Sequence, residues 1–252
     1  MGEALLGGLV ASGWSPTARL AVVETTAERR TLLSERFPHV AVLAEVPSAE
    51  GAVVAVKPGD VEAACRSLAM AGCPRVLSIA AGVRLERLES WLGPGVAVVR
   101  AMPNTPALVN LGASAIAGGT EAGADDLAWA EGVLSAVGLV ERVGEELLDA
   151  VTGLSGSGPA YVFLVVEALI EAGVAVGLPK PVSRALVVRT VAGAARLLEA
   201  SGEEPEVLRA AVTSPGGTTA AGLRSLEIRA VREAFLEAVL AATERSRELG
   251  ST

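Results

Sequence analysis

The stretch Ala52-Val-Val-Ala-Val-Lys-Pro-Gly-Asp-Val-Glu-Ala-Ala-Cys-Arg-Ser-Leu-Ala-Met-Ala-Gly-Cys-Pro-Arg-Val-Leu-Ser-Ile79 reads as strand, helix, strand. A short β-branched run over residues 52–56 stops at Lys57-Pro58, helical periodicity fills 61–71, and 76–79 is again apolar and extended. Near-continuous apolar strands joined by a helix are the signature of a parallel βαβ unit covered on both faces. The alternation continues in both directions. Strands are expected at 19–24 and 40–43 before it and at 96–100, 113–117 and 139–143 after it, with helices at 27–36, 85–92 and 124–136. The expected fold for this half is a Rossmann-like doubly wound α/β domain.

Near Glu145 the pattern changes to helical periodicity, over about 147–176, 182–200, 205–212 and 218–248, with Gly and Pro punctuation between. Two domains are therefore expected: residues 1–144, dinucleotide-binding, and residues 145–252, all-helical. Lys plus Arg total 21 against 29 Asp plus Glu, for a net charge of -8, which argues against a nucleic-acid or anionic-membrane surface. Hydrophobic residues make up 51% of the chain and aromatics 3%, so packing rests on Ala, Val and Leu, side chains unsuited to stacking on bases. Cys65 and Cys73 have no nearby His, so neither a zinc site nor a disulfide framework is expected, and they read as inert thiols in a reducing cytoplasm. The run 161–178 is the most apolar, but Glu167 and Glu171 interrupt it on one helical face. It reads as a buried or subunit-facing helix, and at least a homodimer through the helical half is expected.

Candidate chemistry concentrates in a few segments. Arg209-Ala-Ala-Val-Thr-Ser-Pro-Gly-Gly-Thr-Thr219 places a stiff turn and two glycines before a helix, so free amides and the positive end of the dipole meet at one spot suited to an anion. Alone, it would pass for a capped helix after a turn. Ala55-Val-Lys-Pro58, Ala80-Ala-Gly82, Arg100-Ala-Met-Pro-Asn-Thr-Pro106 and Leu154-Ser-Gly-Ser-Gly-Pro-Ala-Tyr161 accompany it. The first three end predicted strands, where open α/β sheets bind ligands, and the fourth enters the helical half. At the start, Gly2 and Leu5, Leu6, Leu9 and Val10 look like the last fingerprint glycine and first helix of a dinucleotide fold whose first strand and first two glycines are absent. Glu24, at the end of the next strand, suits a ribose 2′-hydroxyl, whereas Arg29 and Arg30 suit a 2′-phosphate.

These motifs together resemble pyrroline-5-carboxylate reductase along essentially the whole chain. The match rests on Met-Gly-Glu-Ala at 1–4, Ala-Val-Lys-Pro at 55–58, Met-Pro-Asn-Thr-Pro at 102–106, Ser-Gly-Ser-Gly-Pro-Ala-Tyr at 155–161 and Thr-Ser-Pro-Gly-Gly-Thr-Thr at 213–219. The resemblance implies hydride transfer from NADPH, with NADH as the other option, to the C=N bond of 1-pyrroline-5-carboxylate, giving L-proline in the last step of its biosynthesis. It implies that amides of Gly216, Gly217 and Thr218 hold the substrate carboxylate, that the Thr219 hydroxyl contacts the ring nitrogen, and that Ser214 supports the turn. Gly2, Glu24, Ala55, Val56, Lys57, Pro58, Ala81, Gly82 and Asn104 border the cofactor; no metal is implied. His39 is expected at the surface, outside the chemistry.

Two departures from the family pattern bear on activity. The missing strand and glycines suggest an internal methionine start or a truncated product with impaired pyrophosphate binding, and the Glu24 carboxylate repels a 2′-phosphate. The competing readings are a silent nucleotide-binding or dimerisation homologue and a related β-hydroxy acid dehydrogenase. The latter would need a catalytic lysine, and Lys180, between two prolines, is the only one in the helical half.

Overall fold

The computed structural model describes residues 1–250. Strands form at all seven expected places: β1 Ala21–Val23, β2 Ala41–Leu43, β3 Ala52–Val54, β4 Arg75–Ser78, β5 Ala97–Met102, β6 Gly112–Gly118 and β7 Gly138–Arg142. The expected α/β domain forms, with its strands in two sheets. β1 and β2 pair in parallel as a separate two-stranded ribbon, and β3-β4-β5-β6-β7 form a five-stranded sheet. Within it every ladder is parallel except β5 with β6, which run antiparallel with Val99 opposite Gly118. The Rossmann order places a strand between the two edges left by β1 and β3. Here the chain enters α1, Gly2–Ser12, directly, and no ladder joins those edges among the described residues.

Alternation across the pleat explains why the strands read as unbroken apolar runs. Val76 and Val98 pack on one face with Val61, Cys65 and Leu88, whereas Leu77 and Val99 pack on the other with Leu5, Ile116 and Leu134. Both faces are covered by helices, α3 Val61–Met70 and α4 Leu85–Leu92 on the first, α1 and α5 Ala124–Ser135 on the second. α2, Ala27–Arg36, lies beside the ribbon.

In the helical half, two of the four expected helices break. The first separates into α6 Leu148–Val151, a π turn over Thr152–Gly156, and α7 Gly158–Ala175. The last separates into α10 Thr218–Ile228 and α11 Val231–Gly250 at Ala230, whose φ of 52° is left-handed. Neither a Gly nor a Pro marks that second break, so periodicity runs through it undisturbed. α8 Lys180–Ser201 and α9 Pro205–Ala211 lie between.

The chain divides into two compact units at points other than the composition change near Glu145. One is Met1–Ser157 together with the stretch from Ala241 onward; the other is Gly158–Leu240. In the first, the end of α11 is tied in by the Ser246 hydroxyl, which donates to Asp149 Oδ1 at 2.6 Å. In the second, α7 meets α8 at Gly173, where a Cβ would collide with Ser183 Oγ, and that hydroxyl donates to the Ile170 carbonyl at 2.9 Å. Tyr161 donates to the carbonyl of Ala238 in α11.

Candidate active site

The dinucleotide side is built by strand polarity. β3, β4 and β5 are parallel, so the segments that leave them, from Ala55, Ile79 and Pro103, emerge at one sheet edge. Ala55, Val56, Lys57 and Pro58 are exposed there, as is Ala81. Gly2, at the first turn of α1, touches the same edge: a Cβ on it would lie 2.9 Å from Ala55 Cβ, so the helix N-terminus seats on the tip of β3 only because residue 2 is glycine. A helix terminus against an exposed strand tip fits one end of a dinucleotide pyrophosphate. Gly82 has φ of 77°, and a Cβ there would lie 3.7 Å from the Leu249 carbonyl oxygen, so the turn it makes is braced by the end of α11.

Glu24 ends β1, where its amide donates to the Leu43 carbonyl and its Oε1 accepts the Thr26 amide at 2.9 Å. The neighbouring arginines are already engaged. Arg30 donates to the Glu24 and Thr25 carbonyls at 2.9 and 2.8 Å, and Arg29 pairs with Glu3, as does Arg36. The positive charge that would recognise a 2′-phosphate is thus turned toward protein acceptors.

Asn104 follows β5 at the same sheet edge. It is buried, its Oδ1 accepts the Ala113 amide at 2.9 Å and its Nδ2 donates to the Ser155 carbonyl at 3.1 Å. Two strand positions upstream, Met102 reaches Gly156, and two further upstream Arg100 pairs with Glu145 at 2.8 Å. The same Glu145 oxygen accepts the Leu85 amide at the start of α4. Motif reading does not reveal this seam, although the period-2 spacing of Arg100, Met102 and Asn104 is the signal that would.

The anion turn forms as the sequence dictates. Gly216 has φ of 70°, a left-handed conformation that glycine adopts freely, and the Gly217 amide closes the turn onto the Ser214 carbonyl at 3.0 Å. Gly217 is the N-cap of α10 and no side chain caps it. A Cβ on Gly217 would crowd Ser214 Oγ and lie 3.2 Å from the Ser214 carbonyl oxygen, so a side chain there would force the serine to move. The amides of Thr218, Thr219 and Ala220 have no helical acceptor, and both threonines are exposed. Ser214, Gly216, Gly217, Thr218 and Thr219 therefore form one cluster in the second unit, and the cofactor-side residues belong to the first.

Elsewhere, Lys180 is the exposed first residue of α8. His39 is exposed. Cys65 and Cys73 are free and buried, and burial pushes the Cys65 thiol up to about 11 and raises that of Cys73. No group of metal-binding side chains is present among the described residues.

A dinucleotide-type sheet with open strand tips, followed by a helical half that carries an anion turn, defines a two-domain nicotinamide-dependent oxidoreductase. The chain belongs to the pyrroline-5-carboxylate reductase family. It is 44% identical over 255 residues to the pyrroline-5-carboxylate reductase of Synechocystis sp., covering 99% of this chain and 95% of that one. It is 40% identical over 257 residues to the Arabidopsis thaliana enzyme of the same name, covering 100% and 93%. Residues 145–249 match the family described as pyrroline-5-carboxylate reductase dimerisation. Among solved structures, the Coxiella burnetii pyrroline-5-carboxylate reductase superposes with a TM-score of 0.94 at 36% identity, covering 100% of this chain and 95% of that one. The Plasmodium falciparum pyrroline carboxylate reductase with NADP bound gives 0.85 at 28%, covering 99% and 94%.

Proposed function

We infer that this chain reduces the C=N bond of 1-pyrroline-5-carboxylate to give proline, using NADPH or NADH. The observation that carries the substrate assignment is the turn at the start of α10. Gly216 is left-handed, a side chain at Gly217 would crowd Ser214, and the helix has no side-chain cap. Three free amides at the positive end of a helix suit a small carboxylate. The Thr219 hydroxyl, on that first turn, donates to or accepts from the ring nitrogen as its charge changes. Ser214 holds the turn through its carbonyl. An iminium carbon is electrophilic, so positioning replaces an elaborate proton relay, and neither His39 nor Lys180 is needed.

The bound nicotinamide supplies the hydride. Gly2 and the exposed segment from Ala55 through Val56 and Lys57 to Pro58 hold its dinucleotide, with Ala81 and Gly82 lining the path and Glu24 facing the adenosine ribose. Residues 1–144 thus serve dinucleotide binding, and 145–252 serve substrate binding and self-association.

The assembly is a homodimer or larger, joined through the C-terminal helices. Ser183 is the only buried residue among the described residues of Gly158–Leu240. α7 is apolar nearly all round, and the stretch Glu145–Ala175 has the length and composition of a membrane span. With Glu167 and Glu171 on one face, it suits the helices of a second copy better than lipid, and a cytoplasmic location is the reading that accords with this. The deciding assay is oxidation of NADPH and of NADH in the presence of pyrroline-5-carboxylate. Turnover that disappears in Gly217→Val, with cofactor binding retained, supports the assignment; no turnover with either cofactor rejects it.

A further inference from the structure

The π turn over Thr152–Gly156 is closed by the Ser157 amide donating to the Thr152 carbonyl at 2.8 Å, and the boundary between the two compact units falls immediately after it. π turns carry one residue more than the α-helix, leave a carbonyl without its usual partner and recur at functional sites. Here the unpartnered group is identifiable from the sequence. In a continuing helix the Ser155 carbonyl would accept the amide four residues on, but that residue is Pro159, which has no N–H. The Asn104 side chain fills the deficit, its Nδ2 donating at 3.1 Å. Its Oδ1 is held in turn by the Ala113 amide at 2.9 Å, which fixes the amide plane and points the nitrogen at Ser155. A buried amide committed at both ends is a rigid strut.

We propose that Asn104 is a positioning residue: its side-chain amide substitutes for the N–H that Pro159 lacks and fixes the Ser155-Gly156-Ser157 crossing from the dinucleotide unit to the helical unit. The proposal rests on the reductase reading given above. In that reading cofactor and substrate are bound by different units, so a loosened link between them is expected to show in turnover while each binding event stays local. Loss of the strut should therefore lower kcat and leave the cofactor Kd unaltered. A cofactor-contact role would do the reverse.

The test is a double-mutant cycle between Asn104→Asp and Pro159→Ala in the full chain. Asn104→Asp keeps the acceptor for Ala113 and replaces the donor with a carboxylate facing a carbonyl. Expected are a fall in kcat of about tenfold, changes of less than about twofold in the Kd of NADPH and NADH, and faster amide hydrogen exchange over residues 152–160. Two forms of rescue are specific to the proposal. Lowering the pH protonates the new carboxyl and returns a donor, so the ratio of variant to wild-type kcat rises toward acid. Pro159→Ala supplies a main-chain N–H for Ser155, so it restores most of the kcat and exchange protection lost in Asn104→Asp and changes little by itself. A wild-type kcat in Asn104→Asp would overturn the proposal, as would a defect indifferent to pH and to Pro159→Ala, or one explained by weaker cofactor binding. If the wild-type chain shows no turnover, the reductase reading has failed, and exchange over 152–160 still decides whether Asn104 and Pro159 are coupled.

Discussion

In the unit formed by Met1–Ser157 and the stretch from Ala241 onward, Leu77, Leu88 and Ile116 are 0% exposed, whereas in Gly158–Leu240 Phe163, Leu164 and Leu236 are at least 60% exposed. Both units are rich in the same aliphatic residues, and the strands and helices of both fall where their apolar patterns run, although two of the expected helices are broken. They differ in what closes the core. A sheet with helices on both faces buries its own side chains. Helices that are apolar on several faces and number only a few cannot, and in a single copy their surfaces stay exposed.

That contrast can be broken most sharply at α7. Replacing Phe163 and Leu164 together with Glu should dissociate the assembly, abolish more than about 99% of turnover and leave the dinucleotide unit folded, because fully burying each such side chain contributes about 1.5–3 kcal/mol in an interface. Sedimentation mass and far-UV circular dichroism check it. An unchanged mass would mean that the exposed face of α7 is not the interface.

The two cores should also respond differently to dilution. Leu88→Ala should cost about 2–5 kcal/mol at any protein concentration, since its cavity lies wholly within one chain. Leu164→Ala should lower Tm by an amount that grows as the protein is diluted, the mass-action signature of a contact between copies. Thermal scans over a hundredfold concentration range separate these outcomes.

In the anion turn, Thr219→Val keeps the shape and removes a hydroxyl. A lost hydrogen bond to a charged group is worth about 1.5–3 kcal/mol, so kcat/KM for pyrroline-5-carboxylate should fall about tenfold to a hundredfold with NADPH affinity unchanged. Equal kinetics would return the residue to a plain first-turn threonine. The smallest expected effect lies at β1. With Glu24 facing the adenosine ribose as proposed, Glu24→Gln should raise the NADPH-to-NADH affinity ratio by about fivefold, roughly 1 kcal/mol. Titration of cofactor fluorescence measures it, and a ratio that stays constant would place Glu24 out of reach of the 2′ position.

How much of this was legible in the sequence varied with the range of the interaction concerned. All seven strands were readable because apolar runs such as 76–79 are set by local burial on both faces, and the turn at Gly216 and Gly217 was readable because backbone conformation at glycine is a local property. The division of the sheet was not, since hydrogen bonding between β1 and any neighbour depends on chain far from it. The break at Ala230 was hidden because alanine carries no mark of its left-handed conformation there. Asn104 was read as a cofactor residue from its motif, and its hydrogen bonds to Ala113 and Ser155 could not be read there because they join it to distant parts of the chain. The return of the chain to the first unit after Ala241 left no periodicity signal, because Thr243 and Ser246, its buried residues, are polar.

That return has a temporal consequence. Asp149 waits for Ser246, so the first unit is closed by residues synthesised 97 positions apart. During synthesis this flank of the sheet domain stays unsealed until α11 has been released. Chains stalled or cut shortly before residue 241 should therefore be open to proteolysis in the half that was translated first.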